Sequence, residues 1–355
     1  MKRIRTNILT STILVSLLAF SFLTILATPV RAADSSCTTA GSTGLTAAVV
    51  ATNGQKITGT IDATGCDVGV YVGPGTTHVT ITKATISGAN DHGIFVQDAK
   101  YIWITNNVVT GNQVNPHPDC PAGAPPSTGC IAEDKAVELA GTSFSILEGN
   151  TVSYNNGSPG GGIGIADDGA WDPGAPFGNP GNPNPGNYNL VSNNNVNHNL
   201  ADCQIVVAAY NAGEGVSHNI VSGNTIAFGV TGIVVAADSP STSATYNLVF
   251  HNTVSSEFIP GIIIHSNTPG DVVSYNDVIG NTLSNNGPDG EVGDSSNTGI
   301  LLAGQVTPVT HSVVSLNKIS SEDVGIWVCN AVASPMLGNH FKGVSTPIST
   351  MASCP

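Results

Sequence analysis

The sequence predicts an all-β protein: a single-stranded right-handed parallel β-helix of about nine to ten coils with an asparagine ladder. Three observations predict it. A short strand pattern recurs along the chain, and an asparagine phrase recurs between its copies. Most copies are separated by roughly 24 to 29 residues, too few for a strand, a crossover helix and another strand. Parallel pairing must therefore come from the chain coiling upon itself.

The strand pattern is a leading residue, usually small, followed by apolar positions that alternate between two faces. In "GIVVA" at 232 we expect Ile233 and Val235 to face the interior, and Val234 and Ala236 to face outward. The nine copies are "GVYVG" at 69, "GIFVQ" at 93, "AVELA" at 136, "GIGIA" at 162, "QIVVA" at 204, "GIVVA" at 232, "GIIIH" at 261, "GILLA" at 299 and "GIWVC" at 325.

The spacing is longer at three places, where segments rich in Pro, Gly and Asn are inserted. They occupy 112–131, 168–188 and 286–297. Insertions at loops of a constant unit are how solenoid repeats vary. We therefore expect one β-helix domain over 33–355 rather than two domains.

The asparagine phrase recurs once per coil. Asn tolerates the left-handed backbone of a sharp corner, and its amide can bond to the amide of the next coil. This predicts an asparagine ladder with a structural role. Its expected members are Asn107, Asn150, Asn195, Asn224, Asn252, Asn281, Asn317 and Asn339.

Residues 1–32 have the pattern of a secretory signal peptide. A basic start precedes the apolar run "ILVSLLAFSFLTILA", and Val30-Arg31-Ala32 fits a cleavage site. Removal would leave six lysines, no arginine and all 24 acidic residues, a formal charge of −18. This predicts an extracellular or periplasmic protein, without membrane insertion and without a nucleic-acid partner. A polyanionic glycan is also disfavoured, since no arginine is left to clamp a carboxylate.

All seven cysteines lie in the predicted secreted part, where disulfides persist. We expect Cys37 to pair with Cys66, Cys120 with Cys130, and Cys329 with Cys354, with Cys203 left over as a small buried thiol. No cysteine or histidine group has the spacing of a zinc or copper site. No cofactor is predicted, although calcium remains open because of the acidic residues.

The repeat resembles the pectin-lyase-like superfamily of right-handed β-helices over roughly residues 45–345. That resemblance implies the fold, but the superfamily includes lyases, glycoside hydrolases, epimerases, a copper-delivery protein and phage tailspikes. In its enzymes the substrate typically lies along the sheet formed by the first strand of each coil. Here the middle outward column of that sheet is Tyr71, Phe95, Glu138, Gly164, Val206, Val234, Ile263, Leu301 and Trp327.

This outward face is apolar for a wetted surface, which indicates that something covers it. An inserted loop of the chain, another subunit and a ligand are the three alternatives. An oligomer formed through this face therefore remains open.

Polar residues follow these strands along one edge. Carboxylates on adjacent coils would lie roughly 5 Å apart, and on alternate coils nearer 10 Å, a range that spans the geometries of glycoside hydrolysis. The catalytic candidates are Asp167, Asp168, Asp238 and Glu138, and the substrate-binding candidates are Tyr210, His265, Asn267 and Trp171. Ordinary turn residues would give the same pattern.

The doublet in "ADDGAW" at 166 is similar to the Asp-Asp doublet of polygalacturonases. That family's Asn-Thr-Asp, Gly-His-Gly and Arg-Ile-Lys motifs are missing. Lyases of this fold need an Arg or Lys base near calcium-binding acids. Lys135, beside Glu133, Asp134 and Glu138, is the residue that could take that role.

The hypothesis favoured by the sequence is a secreted carbohydrate-active enzyme, a glycoside hydrolase or transglycosylase that acts on a neutral poly- or oligosaccharide through paired carboxylates. The alternative is a non-catalytic β-helix that serves as an envelope, adhesion or ligand-binding protein. A polysaccharide lyase or epimerase is the second alternative. Carboxylates that converge on an open cleft would favour an enzyme, and acids spread over separate turns would favour a scaffold.

Overall fold

The chain forms a right-handed parallel β-helix, as the sequence predicts. The computed structural model describes residues 36–41, 43–115, 134–157, 160–167, 185–293, 295–332 and 335–354. Within these ranges the one helical element is the 3-10 turn Gly290–Val292. No helix in the described ranges is long and apolar enough to cross a membrane.

The first sheet runs the length of the solenoid and has twelve strands. Only its first pair is antiparallel, and this hairpin lies at the N-terminal end. In order, the strands are Thr38–Thr39, Thr46–Val50, Val68–Val72, His92–Gln97, Asp134–Ala140, Gly160–Ala166, Ile205–Ala209, Ile233–Ala237, Ile262–Ser266, Thr298–Gly304, Val324–Cys329 and Thr346–Met351. The nine predicted strands are all present, and the sheet has two further strands before that series and one after it.

The second sheet has seventeen strands, because most coils contribute two short strands with a corner between them. They are Lys56–Asp62, Thr80–Ser87, Trp103–Thr105, Val108–Thr110, Ile146–Glu148, Thr151–Ser153, Leu190–Ser192, Asn195–Asn197, Ile220–Ser222, Thr225–Ala227, Leu248–Phe250, Thr253–Ser255, Asp277–Ile279, Thr282–Ser284, Val314–Ser315, Lys318–Ser320 and His340–Lys342. A third sheet has three strands, Gly215–Ser217, Ser243–Thr245 and Val272–Ser274.

The register of the first sheet is the one that the sequence predicts. Val206 pairs with Val234, and Val234 with Ile263. Ile233 and Val235 are fully buried in the cluster that fills the interior. Val234 belongs instead to a second cluster on the outward face. The alternation of the two faces is therefore confirmed.

The predicted asparagine ladder exists, with one member corrected. Asn194, not Asn195, is the residue in the stack: its backbone N–H and Nδ2 both donate to Oδ1 of Asn224 at 2.9 and 3.0 Å. Asn195 is exposed and begins the next strand. The left-handed backbone also lies one residue earlier than expected, as at Gly223 with φ of 65°. A left-handed residue turns the corner, either a glycine or a residue such as His251 with φ of 55°, and the asparagine after it joins the coils.

Two further ladders lie at the other corners. One is Asn189, Asn219, Asn247 and Asn276, which ends on Ser312. The other runs from Asn112 through Asn155 to Asn199, and later coils carry Glu257, Asn286 and Glu322 at this corner. The amides of the first two ladders satisfy the backbone of the preceding coil, as where Asn219 Oδ1 accepts from Asn189 N–H and Asn219 Nδ2 donates to Gly186 O.

Left-handed corner residues on the outside form stacks of rings. The largest, which we call the aromatic stack, is His78, Tyr101, Phe144, Tyr188, His218, Tyr246, Tyr275 and His311. Successive ring centroids are 4.7 to 5.6 Å apart. A second stack joins Tyr154, His198 and Phe228. These histidines, which look scattered in the sequence, are placed by the coil period.

Two predicted disulfides are present. Cys37 is bonded to Cys66 at the N-terminal end, and Cys329 to Cys354 at the C-terminal end. Cys203 takes part in neither bond and is partly exposed rather than buried, because it lies just before the strand Ile205–Ala209. The Cys120–Cys130 pair, the signal segment 1–32 and most of the inserts at 112–131 and 168–188 lie outside the described residues.

Candidate functional site

A cavity of about 240 Å³ opens on the outward face of the first sheet. Its floor is apolar and its walls are polar. It is lined by Asp202, Cys203, Val206, Tyr210, Val230, Thr231, Val234, Asp238, Ile259, Ile263, His265, Asn267, Asp289, Val292, Leu301, Ala303 and Gln305.

The floor consists of outward side chains from consecutive coils. Val206, Val234 and Ile263 are directly paired in the sheet and are 4 to 6% exposed. Val292, from the insert at 286–297, is packed in the same cluster and is 2% exposed. The apolar face is thus covered, at least here, by the chain's own insert, which is one of the three alternatives that the sequence leaves open. No second subunit is required to bury it.

Asp238, His265 and Asn267 form a connected group at one wall. Asn267 Nδ2 donates to Asp238 Oδ1 at 2.6 Å, and Asn267 Oδ1 lies 2.8 Å from His265 Nδ1. His265 Nε2 is 3.9 Å from Asp238 Oδ1. The side chain of His265 is 18% exposed and that of Asp238 is 20% exposed, so both remain accessible from the cavity. The structure thus brings together three residues that the sequence places at this edge.

Burial raises the pKa of Asp238, and His265 and Asn267 only partly offset this. The negative charges of Asp271 and Asp202 raise it further. Asp238 therefore holds its proton to a higher pH than an ordinary aspartate.

Asp202 lies on the same cavity and behaves in the opposite way. Burial works against its charge, but the ion pair with Lys135 and hydrogen bonds from Cys203 hold the pKa of Asp202 below its usual value. Its side chain is 32% exposed. Sequence reasoning missed Asp202 because it precedes a strand, whereas the acidic candidates were sought on the outward face of the strands and just after them. Asp289, on the insert, was missed for a similar reason.

Of the other catalytic candidates, Asp167 and Glu138 do not line the cavity. Asp167 is fully buried and accepts hydrogen bonds from the backbone N–H groups of Tyr210 and Asn211 at 2.9 and 3.2 Å. Burial raises the pKa of Asp167 to about 7. Glu138 is 1% exposed and lies 3.5 Å from His92. Asp168 and Trp171 lie outside the described residues.

Tyr210, a substrate-binding candidate from the sequence, lines the cavity. Its backbone N–H is fixed by Asp167. Asp167 thus acts on the cavity at a distance, by holding the turn that carries Tyr210. Among the described residues, no group of three or more His, Cys, Asp and Glu side chains could hold a metal ion.

The comparisons with known proteins agree with the fold. The A-module of a mannuronan C-5 epimerase from Azotobacter vinelandii is similar, with 13% identity, a TM-score of 0.56, and coverage of 87% of this chain and 75% of that chain. A hyperthermoactive exopolygalacturonase from Thermotoga maritima has 13% identity, a TM-score of 0.52, and coverage of 80% and 54%. At such identities the likeness shows the fold alone.

No curated protein sequence matches the chain. The family model described as "Right handed beta helix region" matches residues 46–245, more than half of the sequence. The chain therefore belongs to the right handed beta helix region family.

Proposed function

We propose that the protein is a secreted glycoside hydrolase or transglycosylase that acts on a neutral glycan, with Asp238 as the general acid and Asp202 as the general base. The observation that carries the proposal is that these two aspartates line one cavity while their surroundings shift their pKa values in opposite directions. A pair of this kind is the usual basis of acid and base roles at one pH.

The reaction that fits this pair is displacement at a glycosidic carbon. Asp238 donates its proton to the leaving oxygen as the C–O bond breaks. Asp202 accepts a proton from the attacking water or sugar hydroxyl as the new C–O bond forms. One proton is delivered and one is taken up, so exchange with solvent restores the starting state.

The remaining wall residues suit hydroxyl recognition. Tyr210, Asn267 and His265 offer both donors and acceptors, and the apolar floor can pack against the C–H faces of a sugar ring. A neutral substrate is favoured because Lys135, the cation at this site, is already paired with Asp202. The two structural neighbours named above act on polysaccharides, which is consistent with a carbohydrate but does not specify one.

The same ion pair disfavours the lyase and epimerase alternative. Lys135 is 1% exposed and its ammonium contacts Asp202, so it is not poised to remove a proton from a substrate. The non-catalytic alternative is distinguished by experiment: a binder would retain its glycan affinity in Asp238→Asn and show no turnover in the wild type.

The test is a reducing-sugar assay of the secreted protein on a panel of neutral glycans. Asp238→Asn and Asp202→Asn should each lower turnover by about 100-fold or more, the contribution of a positioned acid or base. Asp323→Asn, on an exposed turn, is the matched control. Asp167→Asn and Glu138→Gln test the pairing first suggested by the sequence. If those two abolish turnover while Asp202→Asn and Asp238→Asn do not, the assignment made here is wrong.

The pH profile provides a second test. Turnover requires Asp238 protonated and Asp202 ionised. It should therefore fall as pH rises through the raised pKa of Asp238, and fall as pH drops through the lowered pKa of Asp202. If the fall in turnover at high pH disappears in a variant of another residue and not in a variant of Asp238, that other residue is the general acid.

A further inference from the structure

Lys135 is a buried cation that crosses a whole coil of the solenoid. It starts on the strand Asp134–Ala140 and its ammonium contacts Asp202, which lies just before Ile205–Ala209. The strand Gly160–Ala166 runs between these two. A lysine side chain is long enough for this path, but only if nothing projects from the strand in between.

The intervening strand has glycines where the lysine passes. A Cβ at Gly164 would lie 2.8 Å from Lys135 Cγ and 3.4 Å from its Cβ. A Cβ at Gly161 would lie 2.8 Å from Lys135 Cδ. Real Cβ atoms do not approach this closely, so any larger residue would displace the lysine stem. The run "GGGIGIA" at 160 therefore forms a strand and also leaves the space that the Lys135 side chain occupies.

The lysine ends at a carboxylate that shares its cavity with two other acids. Asp202 shares the cavity with Asp238 and Asp289, and Glu138 lies on the same strand as Lys135. His265 lines the same cavity. The Cys203 N–H donates to Asp202 Oδ1 at 2.7 Å, and Lys135 holds Oδ2. Both oxygens are thus oriented, and Lys135 supplies the compensating charge.

We propose that Lys135 is a positioning residue, which reaches across the glycine strand to hold the Asp202 carboxylate in place and in its charged form at the cavity wall. Its catalytic consequence rests on the proposed function; its effect on Asp202 does not. Gly164 contributes to the same arrangement, because the absence of a side chain there leaves room for the Lys135 stem.

The test is the titration of Asp202, followed through ¹³C-labelled aspartate carboxylates in the whole protein and assigned with Asp202→Asn. Lys135→Met keeps the length of the stem and removes the charge. It should raise the titration midpoint of Asp202 by at least about one pH unit, the usual effect of losing an adjacent opposite charge. Lys135→Arg should keep most of the wild-type midpoint. Lys318→Met, an exposed lysine on the same solenoid, should leave it unchanged.

Gly164→Ala tests the path without touching either charge. It should displace Lys135 and raise the Asp202 midpoint in the same direction. Gly290→Ala, where a Cβ would meet nothing within 4 Å, is the matched control. If Lys135→Met and Gly164→Ala both fold, as circular dichroism reports, and the Asp202 midpoint does not move, the positioning role is refuted.

Activity then separates the two proposals. In an active enzyme, Lys135→Met should move the acidic limb of the pH–rate profile upward, together with the Asp202 midpoint. A shifted midpoint in a protein that turns over no glycan would support the positioning role and count against the glycosidase. If turnover depends on Asp202 and the acidic limb of the pH–rate profile is unchanged in Lys135→Met, the result would support the glycosidase and count against the positioning role.

Discussion

A single asparagine of the first ladder shows how one side chain serves several coils. Asn252 Oδ1 accepts from the backbone N–H and from Nδ2 of Asn224, while its own Nδ2 donates to Val221 O and Asn281 Oδ1. All of these groups are buried, so water cannot replace a lost partner. The ladder therefore matters for stability mainly because removal of one asparagine leaves buried polar groups without hydrogen-bond partners, which costs free energy.

Asn252→Ala should accordingly lower the free energy of unfolding by about 2–4 kcal/mol, because it orphans several buried polar groups. Urea denaturation followed by circular dichroism measures this. Asn195→Ala is the matched control, since Asn195 is exposed and outside the ladder, and it should change stability by less than about 0.5 kcal/mol. Equal losses in both variants would show that the ladder has no such role.

The interior makes a comparable demand on single side chains. Ile233 is fully buried between like residues of the adjacent coils. Ile233→Ala should cost about 2–5 kcal/mol through lost burial and the cavity left behind. Ile220, 40% exposed on the outside of the second sheet, is the control residue, and Ile220→Ala should cost far less. A loss below about 1 kcal/mol at Ile233 would contradict the buried assignment.

Among the strands and corners, the third ladder differs from the other two because acids replace amides in its later coils. Glu257 Oε2 accepts from Gly229 N–H at 2.7 Å, and Glu322 accepts from Asn286 Nδ2 at 2.8 Å. Burial raises the pKa of Glu257 to about 8 and that of Glu322 to about 7. The folded protein thus binds protons here that the unfolded chain, with its ordinary glutamate pKa, releases.

Stability should therefore fall as pH rises from about 4.5 to about 8, since the native state binds more protons than the unfolded state over that interval. Glu257→Gln keeps the shape of the protonated side chain and should flatten this slope, raising the melting temperature most at pH 8. Thermal melts between pH 5 and 9 measure it. Glu148→Gln, at an exposed position, should leave the slope unchanged. If stability still falls with pH to the same extent in Glu257→Gln, another group such as Asp167 would be responsible for the pH dependence.

The period-two pattern was enough to predict the strands of the first sheet, their register and their faces, because burial on a pleated strand is repeated at every coil. The cavity was predictable only in part. Asp238 and Asn267 follow strands in register and His265 lies on one, paired with Ala236, so the same periodicity locates all three. Asp202 precedes a strand and contacts Lys135 across a glycine strand, and such a contact between alternate coils has no signature in a periodic pattern.

Over the whole molecule, the described strands of each sheet pair with strands of the neighbouring coils, so the ends of the solenoid are secured separately from its middle. The Cys329–Cys354 bond ties the C-terminal tail to the first sheet, next to the last strand Thr346–Met351. Cys37–Cys66 does the same at the other end. Each disulfide therefore protects its own terminal coil.

Cys354→Ser should cost about 2–4 kcal/mol at the C-terminal end, the usual contribution of a disulfide. Hydrogen exchange should show lost protection in Thr346–Met351 and in the neighbouring strand Val324–Cys329, while the strands from Ile205 to Ser266 keep theirs. Cys203→Ser, at a cysteine outside both bonds, is the control for protection in the last strand. Uniform loss of protection along the chain would mean that the coils unfold as one unit.

The aromatic stack gives the molecule a spectroscopic signal that depends on the number of folded coils. Eight rings, one per coil, lie face to face at 4.7 to 5.6 Å, close enough for their electronic transitions to couple. Each coil that unwinds removes one ring from the series. Near-ultraviolet circular dichroism should therefore decline in steps as coils are lost from an end, and collapse at once if the solenoid opens cooperatively. The rings at these corners therefore give a spectroscopic signal, without an added label, that reports how many coils remain folded.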